Sequence, residues 1–174
     1  IDGLGYNSEF SGGTATMQAL MPYHKELTQI AKANNPVFEN VWYDGTSAYG
    51  SIMFDQGYGA HNKQVAEGAS LFFNYNWSSA SLLQRSVDNA KNEGRNPIEF
   101  LYAGINMQGG EPSNGVNWTL LKDYPISIGL WGAHNQNMFW ESRHEKGGAP
   151  DARQNTYQLR LERWFTGGSR NPAN

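Results

Sequence analysis

Apolar positions in this chain follow two alternating rhythms, and their alternation predicts a repeating βα plan. Residues 1–9, Ile1-Asp2-Gly3-Leu4-Gly5-Tyr6-Asn7-Ser8-Glu9, read as a strand that runs into the break Ser11-Gly12-Gly13. From Thr14 to about Ala33, the residues Met17, Leu20, Met21, His24, Leu27 and Ala31 recur at spacings of three and four, the stripe of a helix. Pro22 within it predicts a kink or a restart, and Asn34-Asn35-Pro36 ends it. A second strand is expected over 37–44, VFENVWYD. Residues 45–69 are irregular, with a short strand expected over 51–54 and a short helix over 61–67. A third strand covers 70–77, SLFFNYNW, apolar at its start and polar at its end. The helix after it, 78–92, is capped by Ser78 or Ser79, buried through Leu82, Leu83, Val87 and Ala90, and stopped by Gly94.

The second half repeats the pattern. Residues 97–104, PIEFLYAG, read as a fourth strand with Glu99 near its start. A polar loop covers 106–117, a short helix 118–123, and a fifth strand 126–131, ISIGLW. The loop 132–151 is rich in Gly, Asn, His and aromatics. A last helix is expected from about 152 to 165, with Tyr157, Leu161, Trp164 and Phe165 on one face, before Gly167-Gly168 and the tail Arg170-Asn171-Pro172.

Strands separated by helices or long crossovers pair in parallel. An open doubly wound sheet and a (β/α)8 barrel both fit, and both place their sites at the C-terminal ends of the strands. No GxGxxG after a first strand and no GxxxxGK[ST] favours a nucleotide site. A barrel needs eight strands and about 250 residues, whereas this chain offers five strands in 174 residues. The expected fold class is α/β: a (β/α)8 TIM barrel, with residues 1–174 supplying the last five βα units, strands 4–8, as a partial catalytic domain. The first three strands would come from an N-terminal part of the same barrel. Without that partner the sheet edges stay open, and the segment alone is expected to be poorly soluble or inactive.

Composition narrows the partners. Six Trp, nine Tyr and eight Phe beside many amides suit a surface that stacks on and hydrogen-bonds sugars, although a large aromatic core would also use them. Only 13 Lys and Arg, in a chain of net charge −3, argue against a nucleic acid partner. No apolar run approaches the ~18 residues of a membrane span. The absence of cysteine excludes disulfides and thiolate metal sites. The compartment stays open, with an extracellular or bacterial cell-surface location expected, or the cytosol for a eukaryotic source.

Candidate chemistry collects at four strand ends: Asn7/Glu9, Trp42/Tyr43/Asp44, Asn74/Tyr75/Asn76/Trp77 and Trp131/His134. Taken singly, Tyr43 and Trp77 would as readily be core or rim packing. Residues two apart on a strand share a face, so Asn7 and Glu9 project together, roughly 7 Å apart, with Gly3 and Gly5 leaving space beneath them. His24 lies on the apolar helix stripe and reads as a packed core residue. His61, His134 and His144 are dispersed, without HxxxH or HExxH spacing, so neither a metal nor another cofactor is expected. No GxSxG elbow supports a serine triad. Glu99, at a strand start, reads as structural. Glycoside hydrolysis usually employs two carboxyl groups. Here Asn7 stands where a second would stand, leaving Asp44 and Asp55 as candidates. A substrate with a 2-acetamido group can instead use its own carbonyl oxygen as nucleophile. The protein then needs one acid/base, Glu9, an amide such as Asn7 to accept the substrate N–H, and a hydroxyl such as Tyr43 to hold the amide oxygen.

These residues carry a resemblance. Asp2-Gly3-x-x-x-Asn7-x-Glu9 resembles the catalytic strand of glycoside hydrolase family 85, the endo-β-N-acetylglucosaminidases. Trp42-Tyr43-Asp44 resembles the family's next strand, and Phe72-Phe73-Asn74-Tyr75-x-Trp77 the one after it. The tail Phe165-Thr166-Gly167-Gly168-x-Arg170-Asn171-Pro172 is similar to the end of its barrel. The resemblance implies Glu9 as acid/base, Asn7 as the oxazoline-promoting amide, Tyr43 as its helper and Trp77 as a sugar-stacking residue. Asn74, Trp131, Asp44, Phe54 and His134 complete the expected substrate contacts. The implied substrate is an N-glycan or glycoprotein, cleaved at its diacetylchitobiose core with retention, with transglycosylation as a further capacity and no metal. Leu4, Gly5 and Phe54 depart from the pattern, which has a Trp, a bulkier apolar residue and a Trp there. The first strand is also similar to the DGxDxDxE strand of family 18 chitinases and endoglycosidases, with Gly5 and Asn7 in place of two Asp. That family, or a noncatalytic glycan-binding barrel, is the alternative.

Overall fold

The computed structural model describes residues 1–108, 116–133, 158–159 and 162. Ten elements are assigned among them. They are β1 (Gly3–Tyr6), α1 (Gly13–Asn34), β2 (Glu39–Tyr43), a single 3₁₀ turn (Val65–Glu67), β3 (Ser70–Phe72), α2 (Ala80–Asn92), α3 (Pro97–Phe100), β4 (Leu101–Asn106), α4 (Trp118–Leu121) and β5 (Ser127–Trp131). The strands form one sheet in the order β1-β2-β3-β4-β5, with parallel pairing from β1 through β4. Sequential parallel strands joined by helical crossovers are the βα repeat of a (β/α)8 barrel, and five strands make five-eighths of one. The chain divides into two compact units, Ile1–Gly104 with Asn117–Gly129, and Ile105–Val116 with Leu130–Asn174.

In the first unit the side chains of β2 separate two environments. Asn40 and Trp42 face α1. The Asn40 amide donates to the Gly68 carbonyl and to Thr28 Oγ1, and the Trp42 ring meets His24 edge-on at 5.2 Å. Glu39 and Tyr43 face the other way. Glu39 accepts a hydrogen bond from Ser70 Oγ, and the Tyr43 ring lies 6.1 Å from Phe72. Both faces of this strand are covered, so Asn40, Trp42 and Tyr43 are all buried and no clean alternation of exposure appears.

The α1 stripe is seated as its spacing predicts, with Met17 and His24 buried. His24 is 1 % exposed and wedged between Tyr6, Tyr23 and Trp42. Burial pushes its imidazole pKa down, so it packs as a neutral ring. The helix runs through Pro22 without a restart. Pro22 lies on the exposed side, where the carbonyl it leaves unpaired can be hydrated. α2 begins at the Ser79 cap and ends before Gly94, whose φ of 72° is a left-handed stop.

Several boundaries differ from expectation. β1 and β3 end at Tyr6 and Phe72, so the polar tails Asn7–Glu9 and Asn74–Trp77 lie beyond the ladder. The stretch expected as a strand over 97–104 opens as helix α3, and β4 starts only at Leu101. Pro97 is pre-organised for the first helical turn and cannot donate to a ladder. Glu99 therefore lies in that turn. The strand expected over 51–54 reduces to one bridge, Thr46 to Ile52, and the helix over 61–67 to the 3₁₀ turn. In the second unit the Met107 N–H donates to the Trp131 carbonyl. The helix expected over 152–165 and the tail after it lie almost wholly outside the described residues, as does His134.

Candidate active site

Beyond β1 the chain keeps its alternation without the ladder. Asn7 and Glu9 are exposed, and Ser8 between them is buried. Ser8 Oγ donates to the Tyr43 carbonyl at 2.7 Å, and its own carbonyl accepts from the Thr46 N–H at 2.7 Å. Thr46 Oγ1 also accepts from the Phe10 N–H at 2.9 Å. The residues on either side of Glu9 are thus tied to the loop after β2, and an exposed carboxylate stands on a fixed backbone. Neither Ser8 nor Thr46 was found from sequence. The only signal was their place beside Glu9 and Gly45, because a side chain that acts through a backbone carbonyl leaves no pattern in residue type.

The glycines beneath the pair have different duties. A Cβ on Gly3 would lie 2.2 Å from the Glu39 carbonyl oxygen, so this glycine permits the close approach of β1 to β2. Only Gly5, with nothing within 4 Å, leaves the open space expected under Asn7 and Glu9. Gly45 brings the site together. A Cβ there would meet the Ser8 carbonyl at 2.3 Å, the Phe54 ring at 3.2 Å and Glu9 Cγ at 3.3 Å.

Tyr43 stands beside this carboxylate. It is 5 % exposed, between the rings of Phe54, Phe72 and Tyr75 at 6.2, 6.1 and 5.9 Å. Asn74 Nδ2 donates to its hydroxyl at 2.7 Å. Burial first, then the Glu9 carboxylate, hold the Tyr43 phenol above its usual pKa, so it carries its proton at neutral pH. Tyr75 is raised by burial first, with Tyr43 and Glu9 adding to it. Glu9, Tyr43, Asn74, Tyr75 and Phe54 therefore share one neighbourhood.

Two residues expected as substrate contacts, Asp44 and Trp77, have buried side chains. Asp44 follows Tyr43 directly, so alternation sends it to the opposite side. There it is 3 % exposed, accepts from Asn62 Nδ2 at 2.9 Å and lies 3.7 Å from His61 Nε2. Its carboxyl pKa is raised, chiefly by burial. It ties the loop 57–62 to the end of β2. Trp77 is 3 % exposed, and its indole N–H donates to the Gly104 carbonyl at 2.7 Å. It packs as wall and offers no open ring face for stacking. Trp131 belongs to the second unit. Among the described residues no group of three or more His, Cys, Asp or Glu could hold a metal ion, and no helix is long and apolar enough to cross a membrane.

The family profile of glycosyl hydrolase family 85 matches residues 2–174. The chain belongs to that family. A solved structure with the same plan is the glycoside hydrolase domain of Endo-D from Streptococcus pneumoniae R6, 25% identical with a TM-score of 0.62. That likeness covers 88% of this chain and 24% of the Endo-D chain, so the family 85 segment described here spans about a quarter of its structural relative. No curated protein matches the chain.

Proposed function

We propose that the protein containing this chain is an endo-β-N-acetylglucosaminidase that cleaves the GlcNAc-β-1,4-GlcNAc core of N-glycans through an oxazoline. The reading rests on one exposed carboxylate, Glu9, whose charge reaches the protonated hydroxyl of Tyr43, with the exposed amide Asn7 two residues before it. Asp44 is buried on the other side, and Asp55, the other carboxylate whose charge reaches Tyr43, accepts from Asn76 Nδ2 at 3.2 Å. A single acid beside an amide suits a nucleophile supplied by the substrate.

In the first step the acetamido carbonyl oxygen attacks C1 and the C1–O glycosidic bond breaks. Glu9 gives its proton to the departing oxygen, and the Asn7 side-chain oxygen accepts the acetamido N–H. Tyr43 donates to the amide oxygen and holds it under C1. In the second step the Glu9 carboxylate takes a proton from water, whose oxygen attacks C1 and opens the oxazoline with net retention. A sugar hydroxyl in place of water gives transglycosylation. The strands needed to close the barrel beyond these five come, in this reading, from other parts of the same protein.

The test is release of high-mannose glycans from a glycoprotein by the full-length protein. Glu9→Gln abolishes release. Asn7→Ala loses hydrolysis of the glycoprotein but still turns over a preformed sugar oxazoline. Equal loss on both substrates would remove Asn7 from its role. Micromolar glycan binding without cleavage, unaffected by Glu9→Gln, would replace the enzyme with a binding module.

A further inference from the structure

Two peptide groups set the direction in which Glu9 leaves the backbone. The Ser8 carbonyl belongs to the one before its Cα, and the Phe10 N–H to the one after it. Thr46 holds both. The Ser8 carbonyl accepts from the Thr46 N–H at 2.7 Å and from Thr46 Oγ1 at 3.0 Å. The Phe10 N–H donates to the same Oγ1 at 2.9 Å, and the Phe10 carbonyl also lies 2.9 Å from it. One hydroxyl thus bridges the two peptide planes that flank Glu9. Because each plane is rigid, holding both fixes φ and ψ at the residue between them. Thr46 has little freedom of its own. It is buried, its carbonyl accepts from the Trp42 indole N–H at 3.2 Å, and it forms the bridge to Ile52.

We propose that Thr46 is the positioning residue of Glu9, holding its carboxyl group in reach of the leaving oxygen in the first step and of water in the second. The inference rests on the reading of Glu9 as the acid/base. The carboxyl carbon stands three bonds beyond Cα, so a small turn of either peptide plane swings it by about an ångström, a displacement that costs about 10²-fold in rate. Glu9 is exposed. Its side chain has little packing to correct such a swing, and its direction depends on the backbone beneath it. Threonine suits this task because its hydroxyl both donates and accepts. Valine has nearly the same shape and can do neither.

Steady-state kinetics of glycan release and of oxazoline hydrolysis by the full-length protein test this. Thr46→Val lowers kcat for release about 10- to 100-fold. KM stays within about twofold, because Glu9 acts in the transition state rather than in binding. Oxazoline hydrolysis falls as well, since Glu9 is the base in that step, whereas Asn7→Ala spares it. Thr46→Ser keeps the hydroxyl and stays within about twofold of wild type. Ser86→Ala removes another buried hydroxyl that accepts from a backbone N–H, that of Tyr58. It measures what lost stability alone does, and leaves kcat within about twofold of wild type, as a distant, independent site should. Should Thr46→Val not fold, Thr46→Ala carries the same test with the same split expected. Thr46→Ser as impaired as Thr46→Val, a rise in KM at unchanged kcat, or oxazoline hydrolysis at the wild-type rate overturns the proposal. If Glu9→Gln leaves release unchanged, the reading of Glu9 fails and the role of Thr46 with it. If Glu9→Gln abolishes release while Thr46→Val matches wild type, only the positioning role falls.

Discussion

Adding one methyl group at Gly129 tests how the sheet supports the site. Phe72 sends its ring toward β4 and β5, where two glycines make room for it. A Cβ on Gly129 would lie 2.2 Å from Phe72 Cε2 and 2.6 Å from Cδ2. Ordinary carbon–carbon contact is near ~3.5–4.0 Å, so the ring must move by more than an ångström. It cannot retreat toward β4, because a Cβ on Gly104 would already lie 2.5 Å from Phe72 Cε1. Overpacking of this kind costs about 1–3 kcal/mol. For a domain of this size each kcal/mol lowers Tm by about 2–4 °C, so Gly129→Ala should lose roughly 2–12 °C. The displaced ring also presses on Tyr43 and Tyr75, whose centroids lie 6.1 and 6.4 Å from it. Glycan release should fall together with Tm, and Gly129→Ala combined with Phe72→Leu should recover part of both. Calorimetry and release kinetics on the full-length protein read the two effects. An unchanged Tm in Gly129→Ala, or a double variant no better than the single one, would refute the argument from packing.

Three further outcomes follow from named contacts. Ser86 Oγ is buried, donates to the Leu82 carbonyl and accepts from the Tyr58 N–H at 2.9 Å. Ser86→Ala leaves that N–H unpaired and should cost about 1–3 kcal/mol in denaturant unfolding. Asp44 has its carboxyl pKa raised in the folded state, so between its unfolded and folded values the native protein binds the extra proton. Its contribution to stability therefore declines as pH rises from about 3.8 through the folded value. Asp44→Asn should flatten the stability–pH profile across that window, and an unaltered slope would contradict the buried placement. Lys25 and Glu67 pair at 3.2 Å with both side chains about half exposed. Lys25→Ala should change stability by no more than about 1 kcal/mol, with a larger loss marking a role the pair does not show.

By itself the sequence determined the order of the five strands and of the two long helices α1 and α2, because apolar period and cap chemistry are local. It also marked Asn7, Glu9 and Tyr43 as the candidate centre, because an Asn-x-Glu tail and a Tyr at a strand end are visible in residue type. It could not say which way neighbouring residues point once a strand is buried on both sides. Tyr43 and Asp44 looked alike as polar residues at a strand end, yet alternation sends one to the Glu9 carboxylate and the other to Asn62 and His61. Trp77 looked like a platform and is a wall, because its indole N–H found the carbonyl of Gly104, 27 residues along the chain. Only the tertiary structure could decide such matters. They depend on pairs of atoms far apart in sequence, and residue type alone carries no record of which carbonyl or ring a side chain will meet.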